Sequence, residues 1–140
     1  MFGQNALALS LSTIALAVAV DAQPPPPANA QQPWSGLART DLLRSDLSAA
    51  GYEVIQVRVD FQPGASAPRH RHPGEEIVYM LSGVLEYRLD GRPPVTLAPG
   101  ETLFIPDGIA HAVRNVGREN ASELATYVVR KGEPLLAPAE

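Results

Sequence analysis

The chain has 140 residues, with 11 basic and 15 acidic side chains and no cysteine. That length makes one domain, large enough for a β-barrel or sandwich to bury a core without covalent staples. The slight acidity and the scattered arginines exclude a charge-driven nucleic-acid or anionic-membrane partner, and the missing cysteine excludes disulfides, thiolate metal sites and cysteine nucleophiles.

From Ala6 to Val20 the chain runs ALALSLSTIALAVAV, fifteen residues without a charge. This is the length of the apolar part of a signal peptide and is short for a membrane span, which needs about 20 residues. Small residues follow at Val20-Asp21-Ala22 and again at Ala28-Asn29-Ala30, so cleavage is expected after Ala22 or Ala30. Residues 1–22 are read as a signal peptide. The protein is then exported, periplasmic or secreted, with no stable membrane insertion after cleavage. Residues 23–33, QPPPPANAQQP, carry four consecutive prolines, which neither a helix interior nor a central strand accepts. They read as a linker.

Residues 34–50 form an arm, WSGLARTDLLRSDLSAA, compatible with a short strand or a turn of helix. Beyond Gly51 the texture becomes β-rich. Tyr52 to Phe61 alternates, with Val57, Val59 and Phe61 on one side and Gln56, Arg58 and Asp60 on the other. Glu76 to Leu81, Val84 to Leu89, Val95 to Ala98, Thr102 to Ile105, His111 to Val116 and Glu123 to Arg130 continue the series, with Ser82-Gly83 and Asp90-Gly91 as hairpin signals. Seven or eight short strands over residues 51–131 predict an all-β sandwich or jelly-roll barrel. Phe61, Tyr79, Tyr87, Phe104 and Tyr127 are read as core packing. Residues 132–140 contain two prolines and read as a loose tail.

The three histidines of the chain are His70, His72 and His111. On an extended strand His70 and His72 leave the same face, with Cα atoms about 7 Å apart. Glu76, four residues beyond His72, has the same parity; Glu75 has the opposite parity and is expected to face outward, as are Arg69 and Arg71. Imidazole and carboxylate donors without thiolates suit one divalent transition metal among Fe, Mn, Ni, Co, Cu and Zn.

The frame around these residues is specific. From Gly64 to Gly83 the chain reads G-ASAPR-H-R-H-PGE-E-IVYMLS-G, and from Gly100 to Asn115 it reads G-ETLFI-P-D-G-IA-H-AVR-N. The two segments resemble the two halves of the cupin signature, G-x5-H-x-H-x3-E-x6-G and G-x5-P-x-G-x2-H-x3-N, with every fixed position filled. The resemblance implies a small exported bacterial cupin: a double-stranded β-helix barrel, usually dimeric, with a metal near its centre. It implies His70, His72, Glu76 and His111 as metal ligands. Gly64, Gly83, Gly100 and Gly108 become turn glycines, Pro106 fixes the turn before His111, and Asn115 ties a loop.

Many activities share this fold and ligand set. Three imidazoles and a carboxylate on a six-coordinate ion leave two positions for a chelating small molecule. The first expectation is a metal-dependent oxygenase of the quercetin-dioxygenase or acireductone-dioxygenase type, acting on an enol-type substrate with Glu76 as the catalytic proton acceptor. Metal-dependent isomerisation or decarboxylation needs a further proton-transfer group, and the sequence shows no inward acid other than Glu76. A module that binds or senses a small ligand without turnover is the alternative from another class.

Overall fold

The computed structural model describes residues 34–140, so the apolar segment and the proline-rich linker lie outside the described residues. Ten strands follow one another: β1 (Leu37–Asp46), β2 (Tyr52–Phe61), β3 (Ser66–Arg71), β4 (Gly74–Ser82), β5 (Leu85–Leu89), β6 (Val95–Leu97), β7 (Thr102–Ile105), β8 (His111–Asn115), β9 (Ala121–Arg130) and β10 (Ala137–Pro138). They build two five-stranded antiparallel sheets. The first has the order β1-β2-β9-β4-β7 and the second β10-β3-β8-β5-β6. This is the expected all-β jelly roll, with no helix among the described residues.

The two sheets face each other through the inward half of each alternating pattern. Ile55, Val57 and Phe61 on β2, Val78 and Met80 on β4, Leu85, Tyr87 and Leu89 on β5, and Ala125, Tyr127 and Val129 on β9 are all buried. Each large apolar side chain so enclosed contributes roughly 1.5–3 kcal/mol. The same alternation corrects two assignments. Tyr79 and Phe104 stand one residue out of step with buried Val78 and Ile105, so both point outward and are 43% and 52% exposed. Phe61, Tyr87 and Tyr127 are in the interior as expected.

Sequence periodicity left the arm open between strand and helix; it is a ten-residue strand paired with β2 along its whole length, from Leu37 opposite Phe61 to Asp46 opposite Glu53. A bulge between Asp41 and Leu43 interrupts the register. Trp34, just ahead of β1, packs against the core. The arm therefore covers an edge of its own barrel.

The tail is also ordered differently from expectation. Ala137 and Pro138 pair with Arg71 and His70 at the edge of the second sheet, and the Ala139 amide donates to the Arg69 carbonyl. A strand edge with free carbonyls recruits the passing chain even though proline limits how far the ladder runs.

Turn chemistry closes the ends. Gly83 has φ 72°, and a Cβ there would lie 2.5 Å from the Ala121 Cα. Only glycine accommodates both the left-handed turn and that contact. Asn115 ties the end of β2 to the loop between β8 and β9: its Nδ2 donates to the carbonyls of Phe61, Gln62 and Glu119 at 2.8–3.2 Å, and its Oδ1 accepts from the Gly117 amide.

Candidate metal centre

Strands β3 and β8 are neighbours, and His70 stands directly opposite His111 in their register. His72 lies one residue past the end of β3. The chain then turns at Pro73 and begins β4 in the other sheet. Gly74 makes that start possible, because a Cβ there would stand 2.1 Å from the Val128 carbonyl oxygen of β9. Glu76 follows two residues later, between Ile105 of β7 and Tyr127 of β9. It therefore reaches the histidines from the facing sheet. Its agreement in parity with His72 was coincidental, since the two do not share a strand. Glu75 is half-buried, while Arg69 and Arg71 are exposed as expected.

All four expected residues converge. His70, His72 and His111 are buried, and their ring nitrogens include one atom each lying within 4.8 Å of the others. The ring centroids are separated by 4.3 Å for His70 and His111, 5.0 Å for His70 and His72, and 5.1 Å for His72 and His111. The Glu76 carboxylate, also buried, has Oε2 3.0 Å from His72 Nε2 and 3.3 Å from His111 Nε2.

The rings are oriented from behind. His70 Nδ1 faces the Pro68 carbonyl at 2.6 Å, His72 Nδ1 the Leu135 carbonyl at 2.7 Å and His111 Nδ1 the Ile109 carbonyl at 3.1 Å. A carbonyl only accepts, so each Nδ1 donates, and the tautomer so held is the one whose Nε2 can bind a metal. This is the second layer that metal-binding histidines require. Among the described residues, His72 Nε2 and Glu76 Oε2 are buried without any hydrogen-bond partner, although they are close enough to bond if they were aligned. Two orphaned, electron-rich atoms beside two further imidazoles fit a cation, and the nitrogen–oxygen donor set suits a divalent transition ion.

The charges agree with that reading. Burial, and then the neighbouring His111, push His70 down to about 4, so it is neutral near pH 7. Burial alone would raise Glu76, but the imidazoles of His111 and His72 outweigh it and hold the carboxyl below its usual range. The Tyr127 ring lies 4.7 Å from that of His72. Burial raises its phenol well above the ordinary value, and the charge of Glu76 raises it further.

Two interior acids escaped the sequence reading. Glu123 is buried on the inward face of β9, where it accepts a hydrogen bond from the Tyr87 hydroxyl. Burial raises its carboxyl well above the usual value, with the charge of Glu76 adding to the effect. The signal was present in Glu123, Ala125, Tyr127 and Val129, which share one parity: an acid occupies a series of otherwise inward positions. Glu53 is likewise buried, but Arg44 neutralises it from β1.

The family model described as "Cupin domain" matches residues 57–137. The dimethylsulfoniopropionate lyase DddQ of Ruegeria pomeroyi is 44% identical over 55 residues, which are 39% of this chain and 27% of that protein. The rhicadhesin receptor of Pisum sativum is 34% identical over 79 residues, covering 53% of this chain and 36% of the relative. The chain thus spans about a third or less of the length of these two relatives. Among solved structures, an oxalate oxidase superposes with a TM-score of 0.62 at 28% identity, over 78% of this chain and 57% of the other. A structure of an oxalate oxidase in complex with glycolate is 29% identical, with a TM-score of 0.61 over 77% of this chain and 57% of the other.

Proposed function

The chain belongs to the cupin family, and from that premise we propose that it is a mononuclear metal-dependent enzyme of the oxygenase type, acting on a small chelating enol-type substrate. The ligands are His70, His72, Glu76 and His111. The observation that carries this reading is the pair of buried, unpartnered atoms His72 Nε2 and Glu76 Oε2, directed together with two more imidazoles at one point. A bound Fe, Mn, Ni, Co, Cu or Zn ion would supply Lewis acidity and open positions for a bidentate ligand. The resemblance to oxalate oxidase, one structure of which is a glycolate complex, supports a small chelating molecule in that place.

The chain's own residues have distinct tasks in this scheme. The carbonyls of Pro68, Leu135 and Ile109 hold the three rings in one tautomer. Glu76, kept ionised by its imidazole neighbours, is the proton acceptor nearest an incoming enol. Tyr127, kept as a neutral phenol, holds its proton on the Glu76 side of the site. The apolar interior around Val57, Val78 and Val113 excludes water.

A second reading, a metal-dependent isomerase or decarboxylase, gains from Glu123. That reaction needs a proton-transfer group besides the ligands, and Glu123 is a buried acid with a raised pKa. Export of the mature chain remains part of the proposal; mass spectrometry of protein from its own compartment should find a terminus near Gln23 or Gln31.

The experiment loads the protein with Fe, Mn, Ni, Co or Cu in turn and follows oxygen uptake and product with a panel of enediols and flavonols. Turnover that is lost in His72→Ala together with the metal, and in Glu76→Gln with the metal retained, supports the oxygenase. Product without oxygen consumption supports the second reading. Binding of the panel without any product leaves a ligand-binding module and removes the enzyme.

A further inference from the structure

Two of the three imidazoles carry an aromatic neighbour from outside the cluster. Tyr127 lies against His72. Trp34 lies against His70, with ring centroids 5.0 Å apart and planes tilted by 48°. Trp34 stands ahead of β1, outside both signature segments, and is half-buried. The turn that delivers it is built. The Leu37 amide donates to the Trp34 carbonyl at 3.2 Å, and the Gln62 amide to the Gly36 carbonyl at 2.8 Å. Gly36 has φ 78°, and a Cβ there would lie 2.9 Å from the Ala65 Cβ. A left-handed turn this close to the loop between β2 and β3 takes glycine. That loop is tied in turn to β8, the strand of His111. Asn115 donates through Nδ2 to the Gln62 carbonyl and through its amide to the Ala65 carbonyl.

His70 is the ligand that needs such a neighbour. His111 stands on β8 between β3 and β5, and Glu76 on β4 between β9 and β7, so long strands flank both. His70 stands on β3, whose outer side carries only the two-residue strand β10. The His70 side chain is nevertheless buried. The indole that rests against it comes from the start of β1, the outer strand of the other sheet. Filling an apolar gap asks for no ring, and Leu37 packs against the same core cluster as Trp34. A flat indole against an imidazole does something further. The Nδ1 hydrogen bond to the Pro68 carbonyl holds one atom of the His70 ring, and an aromatic surface beside it restricts the plane in which the ring lies.

We infer that Trp34 is a positioning residue of the metal centre: its indole holds the His70 imidazole at the angle ligation needs and closes the barrel edge over it. The inference rests on the metal-centre reading above and adds to it a residue of the arm. A ligand held by its hydrogen bond alone can swing about that contact, and a supporting side chain removes the freedom before the ion arrives. The arm then does more than cover a sheet edge, because the centre is incomplete without it. Trp34 is the chain's one tryptophan, so its fluorescence reports on this contact alone.

The probe is cobalt(II), titrated into the full chain while tryptophan emission and the visible spectrum of the bound ion are followed. Binding to the wild type should quench the emission, and removal of the ion with a chelator should restore it. Emission unchanged at cobalt saturation places the indole away from the centre and overturns the inference. Trp34→Ala should lower cobalt affinity by about 10- to 100-fold and alter the cobalt spectrum, while Trp34→Phe, which keeps a flat ring, should restore both. A tryptophan that serves packing alone gives a different result: Trp34→Ala loses resistance to urea but keeps wild-type cobalt affinity and spectrum, and that outcome overturns the proposal. If Trp34→Ala does not fold, Trp34→Leu decides, because it fills the gap without a ring; unaltered cobalt affinity and spectrum overturn the proposal, and a clear loss supports it. A wild type that takes up no cobalt overturns the metal-centre reading and this inference with it. Cobalt bound alike by the wild type and Trp34→Ala overturns the inference alone.

Discussion

Tyr87 of β5 donates a hydrogen bond to Glu123 of β9, joining the two sheets through the middle of the barrel. Burial raises the Glu123 carboxyl, and the charge of Glu76 raises it further, so the folded protein keeps a proton that the unfolded chain releases above about pH 4.3. The sign follows from linkage. Stability from this group is complete below the unfolded value and is lost as pH rises toward the folded one. Glu123→Gln keeps an acceptor for Tyr87 and removes the ionisation. Its urea midpoint should match the wild type near pH 4 and exceed it at pH 8, with a flatter pH dependence between. A variant that loses stability equally at both pH values would show that Glu123 is ionised in the folded state.

His72 depends on the tail, because its Nδ1 faces the Leu135 carbonyl. Loss of such an orienting partner typically costs 10- to 100-fold in metal affinity. A chain ending at Gly132 lacks that carbonyl and β10, and leaves both large sheets otherwise intact. Competition with a coloured chelator should show metal affinity reduced by about that factor, with the circular dichroism of the barrel unchanged. Wild-type affinity in the truncated chain would mean that a water or another carbonyl replaces Leu135.

Much of the centre could be read from the chain because its parts are local. The spacing of His70, His72 and Glu76, the glycines at the turns and the second motif ending at Asn115 are sequence objects, and the structure brings them together. What escaped depends on tertiary position. Leu135 orients His72 from 63 residues away. The arm joins the barrel through the pairing of β1 with β2, and its periodicity did not separate strand from helix. Tyr79 and Phe104 were assigned to the core on hydrophobicity alone, although their alternation with Val78 and Ile105 already placed them outside.

The turn at Gly83 should be among the least tolerant positions. Alanine there meets both a left-handed φ of 72° and the Ala121 Cα at 2.5 Å. Together these should cost about 2–4 kcal/mol. Asn115→Ala removes a donor shared by three carbonyls and the acceptor of the Gly117 amide, for a comparable loss. Gly91→Ala is the control: φ is 70°, but nothing lies within 4 Å of the new Cβ, so the loss should be about 1–2 kcal/mol. Chemical denaturation of the three variants orders them, and equal losses would mean that the crowding at Gly83 relaxes without cost.

The outer face of the first sheet bears on assembly. Ile77, Tyr79 and Leu81 on β4 are exposed, and Phe104 of β7 stands directly opposite Ile77. Leu124 of β9, opposite Tyr79, extends this face and is half-buried. Contiguous exposed apolar side chains of this kind mark a protein contact, and a flat sheet face meets its own copy across a twofold axis without further specification. We propose that the protein is a homodimer joined through this face. Phe104 sits at the patch on an outward position, so Phe104→Asp leaves the core untouched while placing a charge in the contact. Light scattering should report a dimer for the wild type and a monomer for Phe104→Asp at the same concentration, with both keeping the same far-ultraviolet dichroism and the same metal content. A wild-type monomer at micromolar concentration would refute the assembly, and a Phe104→Asp dimer would move the contact to another face.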